Sequence, residues 1–163
     1  MKIFAGCAAA LAVSALPILS LGVATPAQAA GCWGPRAVAA AKLRNLDIML
    51  MVTALRCRMG PDNFQADYND FSVAHEGELH AANILLKAEL GDAPHALDKL
   101  NTSIANSFGS GHPELGCSDL AQVTRDLSNS RVSGALLAAA DALVGAPTIP
   151  AATCGVRVAT VRR

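Results

Sequence analysis

The chain has 163 residues, with 13 basic and 13 acidic side chains, and only 4% of its residues are aromatic. A balance this close to neutrality provides no general electrostatic attraction to nucleic acid or anionic lipid. Abundant Ala, Leu and Val with few aromatics exclude a strand-rich sandwich and favour packed helices.

The first segment reads as an export signal. Lys2 precedes an apolar run from Ile3 to Val23, and Ala27-Gln28-Ala29 supplies the small-x-small pattern of a cleavage site, so residues 1–29 are expected to be a secretory signal peptide. The run is also long enough for a membrane anchor. Pro17 within it and the cleavage pattern behind it favour a removable signal, so no stable anchor is expected after cleavage. Cys7 lies in FAGC, ahead of nearly all of the apolar run, whereas a lipidation box should follow that run. Removing 29 of the 163 residues leaves 134, a length suited to one domain. Without Lys2, 12 basic side chains face 13 acidic ones.

The first predicted helix runs from Pro35 to about Arg58. Pro35 suits a first helical turn, where its missing N–H is not needed. Ala39, Leu43, Leu46, Leu50, Ala54 and Cys57 recur at three- and four-residue steps, and the run Ile48 to Val52 is apolar on every side. This helix should therefore be central and largely enclosed. Gly60-Pro61 ends it.

A second helix is expected from about Asn63 to Leu90, capped by Asp62 and stopped by Gly91. Its inward stripe is Phe64, Tyr68, Phe71, His75, Ala82 and Leu86, with Leu79 at the edge and a local bend at Gly77. A third helix follows Asp92, with Pro94 in its first turn, and ends near Phe108; Leu97, Leu100, Ile104 and Phe108 form its apolar face. The loop GSGHPELG, residues 109–116, is irregular. Ser118 can cap the next element, which carries Leu120, Val123 and Leu127. Beyond Ser128-Asn129-Ser130 the phase shifts to Val132, Leu136, Ala140 and Leu143. Residues 118–145 are thus one kinked helix or two. The domains expected are a helical bundle over 30–145 and an irregular tail over 146–163, tied down by Cys154.

Four cysteines remain after signal cleavage: Cys32, Cys57, Cys117 and Cys154. An even number in an exported chain points to two disulfides, and no CxxC, CxxCH or zinc-ribbon spacing occurs. Short connections make consecutive helices antiparallel, which gives an all-α, up-down-up-down bundle of four or five helices. A first helix of about 23 residues spans roughly 35 Å, while bridged cysteines need Cα atoms within about 7 Å. Cys32 therefore cannot pair with Cys57. Following the chain down and up the bundle predicts Cys57–Cys117 at one end and Cys32–Cys154 at the other.

HEGELH, residues 75–80, is close to the helical zinc motif of metalloproteases. That motif needs its histidines at i and i+4. His75 and His80 are five apart, which leaves them about 140° apart around a helix, so the motif fails by one residue. His75 and Glu78 lie three apart toward the inward face, and a polar pair there must be hydrogen-bonded or partly wet. They are expected to be a satisfied pair at the core edge, with a ligand or metal position completed by another helix as the alternative. His95 and His112 are expected to be solvated. Ser103, Ser107 and Ser110 occur without a GxSxG elbow, and no catalytic or dedicated metal-binding set emerges from the chain.

The segments VAAAKLRNLDIMLMVTALRCR, LDKLNTSIANSFG and CSDLAQVT resemble those of a group of short exported bacterial proteins without an established activity. The likeness covers residues 32–125 and implies an exported all-helical protein with no catalytic residues to carry over. Some members of that group bear the label S-adenosyl-L-homocysteine hydrolase. The present chain has no GxGxxG turn between strand and helix and is far too short for a dinucleotide-binding enzyme.

These observations lead to a periplasmic or secreted helical protein that acts by binding, without a cofactor. Its expected partner is another envelope protein, in the manner of a small chaperone or an inhibitor. The alternative is a small-ligand or metal-binding bundle using His75 and Glu78.

Overall fold

The computed structural model describes residues 32–150 and 152–154; the expected signal peptide lies outside them, as does the end of the tail. The element order is β1 (Cys32–Trp33), α1 (Pro35–Cys57), α2 (Gln65–Ala74), α3 (Glu76–Leu90), α4 (Ala96–Ser107), α5 (Cys117–Asn129), α6 (Ala135–Leu143) and β2 (Ala152–Thr153). The protein is therefore mostly helical, with six helices among the described residues rather than four or five.

α1 packs against every other helix, and its sequence explains how. One side buries Leu46, Met49, Leu50 and Ala54 in a cluster with Phe64, Phe71, Leu120, Leu127 and Leu136 from α5, α6 and the α2 region. Another side buries Ala37, Ala40, Ala41 and Ile48 with Ala82, Leu86, Leu100 and Ile104 from α3 and α4. α1 is the shared wall between two half-cores, which is why its apolar residues leave no polar stripe. Each large side chain removed from water here stabilises the fold by about 1.5–3 kcal/mol.

The cysteines are paired as Cys57–Cys117 and Cys32–Cys154. Cys57 is the last residue of α1 and Cys117 the first of α5. Cys32 opens β1 and Cys154 follows β2 in a two-stranded parallel pairing, in which Cys32 faces Ala152 and Trp33 faces Thr153. The bridges thus lie at opposite ends of α1, and the chain from Cys117 to Cys154 returns along it. Two disulfides point to an oxidising, non-cytoplasmic compartment. No helix among the described residues is long and apolar enough to cross a membrane.

Several local expectations change. The single helix over 63–90 divides at His75, whose φ of −114° and ψ of 15° interrupt the helical run. Gly77 instead sits inside the first turn of α3, with open space where a Cβ would be. Asn63 replaces Asp62 at the entry to α2, its Oδ1 accepting the Gln65 N–H at 3.0 Å. α4 begins two residues after Pro94, behind a left-handed His95 (φ 59°). Ser118 is not the cap of α5: Gly116 precedes the helix, and its N–H donates to Asp119 Oδ2 at 3.0 Å. Residues 118–145 form two helices, separated by a connection that ends at Gly134 in the left-handed region (φ 80°). Val132 falls in that connection and is 75% exposed rather than inward-facing. α6 begins only after Gly134 and buries Leu136 and Ala140 as expected, so Val132 alone of that series falls outside the helix.

Candidate functional site

His75 occupies the break between α2 and α3, and its ring is used on both sides. Nε2 lies 2.9 Å from the carbonyl oxygen of Leu127, which is in the last turn of α5. A carbonyl only accepts, so Nε2 carries the proton. Nδ1 lies 3.4 Å from Glu78 Oε2, as the three-residue spacing leads one to expect. The Phe71 ring is 5.3 Å away, centroid to centroid, and only 10% of the imidazole side chain is exposed, against 47% for Glu78. The structure brings the expected pair together. What it adds is the Leu127 carbonyl, a helix-end acceptor that also takes the Ser130 N–H at 3.0 Å.

His112 does the same for α6. Its Nε2 donates to the Leu143 carbonyl at 3.0 Å, and its Nδ1 accepts the N–H groups of Glu114 and Leu115 at 3.1 and 3.0 Å. The expectation that His112 is solvated is therefore corrected: the ring organises the loop over 109–116 and caps a neighbouring helix. Arg56 adds a hydrogen bond to the Gly109 carbonyl from the α1 side. His95, by contrast, is well exposed beside Asp98, and His80 is exposed on the outside of α3.

A polar network inside the bundle went unforeseen. Asp47, 5% exposed on α1, accepts from Arg44 at 2.6 Å and from the Tyr68 hydroxyl at 2.9 Å. Arg44 also donates to Asn101 Oδ1 at 2.9 Å, so one chain of bonds joins α1, α2 and α4. Burial raises the Asp47 pKa above its ordinary 3.8, and the Arg44 charge and the two hydrogen bonds oppose that rise. Burial, followed by the neighbouring carboxylate, pushes the Tyr68 hydroxyl well above its usual value, so Tyr68 remains a donor. Asn45 is equally buried. It donates to the Ala41 carbonyl and accepts the Thr148 N–H at 3.1 Å, which fastens the segment after α6 to the central helix. The signal for both was Arg44, Asn45 and Asp47, three polar residues next to the apolar run Ile48 to Val52.

The chemistry available to these groups is limited by what surrounds them. A histidine serves as general base or metal ligand through a ring nitrogen that a substrate or ion can approach; Nε2 of His75 is bonded to the Leu127 carbonyl, and only 10% of the side chain is exposed. Among the described residues, no three His, Cys, Asp or Glu side chains are grouped so that they could hold a metal ion. The surface depressions lie elsewhere. One, at the α3–α4 turn, is lined by Ile84, Lys87, Ala88, Pro94 and Leu97. Another follows the α2–α5 seam beside Asp67, Asp70, Val73, Arg125 and Arg131. Comparison of the chain with protein-family models, with curated proteins and with solved structures finds no match.

Proposed function

We propose that this chain is an exported, non-catalytic binding protein of the cell envelope, which engages a protein partner through its outer surface. The observation that carries this reading is the state of His75, the residue most suggestive of chemistry in the sequence. It is shut in by Phe71, spent on the Leu127 carbonyl and held near Glu78. The buried polar groups Asp47, Tyr68 and Arg44 are likewise directed at one another. An interior filled in this way leaves recognition to the exterior. Residues 1–29 are read as the export signal, the helices as an up-down alternation about α1, and the destination as the periplasm or the medium.

The test is to capture partners from an envelope extract with the oxidised, full-length chain, then purify the captured protein and titrate it back. A saturable, stoichiometric complex that survives His75→Gln supports the reading, and repeated recovery of no specific partner counts against it. The small-ligand or metal alternative on His75 and Glu78 draws less from the geometry, because only Glu78 is open to solvent. Native mass spectrometry with metal analysis separates the two: a stoichiometric bound species lost in His75→Ala would replace the protein-binding reading.

A further inference from the structure

The two disulfides join very different things. Cys57–Cys117 ties the end of one long helix to the start of another, and both helices are embedded in the core cluster of Leu46, Leu50 and Leu120. Cys32–Cys154 ties together two strands of two residues each. The described residues after α6 attach to α1 and to β1 at separate points. Thr148 N–H reaches Asn45 Oδ1, Cys154 N–H reaches the Trp33 carbonyl at 2.9 Å, and β2 pairs with β1. Ile149 packs, half-buried, on the cluster that contains Trp33, Ala37, Ala41 and Ile48. Pro147 and Pro150 offer no N–H for further bonds. The segment is a strap lying over one half-core. Cys32, Cys154 and Cys117 are partly accessible, and Cys57 alone of the four is buried, at 5% exposed.

We propose that Cys32–Cys154 is a redox latch: thiol–disulfide exchange at this bridge frees the strap and bares the Trp33 end of the half-core, while the helices stay folded. The reductant is a dithiol. One of its thiolates attacks a sulfur of the bridge to form a mixed disulfide, and its second thiol then displaces the protein sulfur. Two electrons and two protons pass to the protein, Cys32 and Cys154 end as thiols, and the dithiol leaves as its own disulfide. The selectivity follows from where each bridge sits: both residues of Cys32–Cys154 are partly accessible and lie at two-residue strands, whereas the other bridge can be approached only from Cys117 and must expel Cys57, which is buried at the end of a packed helix. The latch does not depend on the binding reading above, because it concerns only which surface the fold can uncover.

Trp33 is the only tryptophan in the chain and is 5% exposed, so its emission reports the strap directly. The oxidised protein is titrated with dithiothreitol. At each step free thiols are alkylated and mapped by mass spectrometry, and Trp33 emission and helical circular dichroism are recorded. The expected result is alkylation of Cys32 and Cys154 before Cys57 and Cys117, a red shift of Trp33 emission over the same range, and an unchanged helical signal. Cys32→Ser/Cys154→Ser should give the same red shift without reductant, again with helices intact. Three results would overturn the latch: prior reduction of Cys57–Cys117, Trp33 emission indifferent to loss of its bridge, or loss of helical signal with that bridge. A double variant that fails to fold belongs to the third.

Discussion

Replacing Tyr68 by Phe removes one oxygen and nothing else from the buried network, so its effect can be worked out closely. The lost hydroxyl donates to Asp47 Oδ1 at 2.9 Å, and Asp47 is 5% exposed, so water is poorly placed to replace it. A hydrogen bond to a charged group contributes about 1.5–3 kcal/mol. For a domain of this size the midpoint should fall by on the order of 6–12 °C. The pH dependence is the sharper test. Burial already raises Asp47 above 3.8, and the Tyr68 bond is one of the forces holding it down, so Tyr68→Phe should raise it further. A carboxyl whose folded pKa lies above its unfolded one favours folding fully below the unfolded value, and that contribution is lost as pH rises through the folded value. The raised pKa in the variant enlarges this loss. Its deficit should therefore be small, about 1 kcal/mol, below pH 3.8, and grow to the full value at neutrality. Denaturant unfolding of both proteins across that range measures it. A deficit that is constant with pH, or larger in acid, would refute the coupling between Tyr68 and the Asp47 charge.

The remaining predictions concern the frame around the network. His75→Ala should cost about 2 kcal/mol by removing the donor to the Leu127 carbonyl and the ring against Phe71; a thermal midpoint equal to the parent's would show that the cap contributes nothing. Gly77→Ala should stabilise by about 0.5 kcal/mol, since the site is helical and the space for a Cβ is open; destabilisation would return the bend to Gly77. Gly134→Ala should destabilise by about 1–2 kcal/mol because φ there is positive, and calorimetry of the two glycine variants should give shifts of opposite sign. Cys57→Ser/Cys117→Ser opens a span of 60 residues, and the chain-entropy estimate for it is a loss of about 4 kcal/mol. An unchanged denaturation midpoint would mean that this bridge adds nothing to the bundle.

Much of this architecture could be read from residue spacing, and the exceptions share a physical cause. Apolar periodicity reports which face of a helix is buried, so Leu46, Phe71, Leu86, Ile104 and Leu136 were placed inward correctly. The length of α1 then left few ways to pair four cysteines, and the two bridges followed. Periodicity does not report the partner of a polar side chain when that partner lies far along the chain. His75 meets Leu127, His112 meets Leu143, and Asp47 meets Tyr68 through tertiary packing alone. The His75 break illustrates the difficulty: the apolar stripe continues across it from Phe71 to Leu79 and Ala82, so nothing in the pattern marks a change of helix. Val132 shows the reverse, a hydrophobic residue at a plausible spacing whose backbone belongs to a turn. The candidate pair His75 and Glu78 was legible because its two members share one turn of chain.

The placement of α1 between two half-cores governs how the molecule comes apart. Neither half has a full set of walls without that helix, so melting of one strips cover from the other. Amide hydrogens along the middle of α1 should therefore exchange only through whole-molecule opening, and those of the outer helices should include slower members only where they face it. Side chains such as Leu46 and Ile48, each committed to a different half, make this single rod the place where a change in either compartment is felt by both.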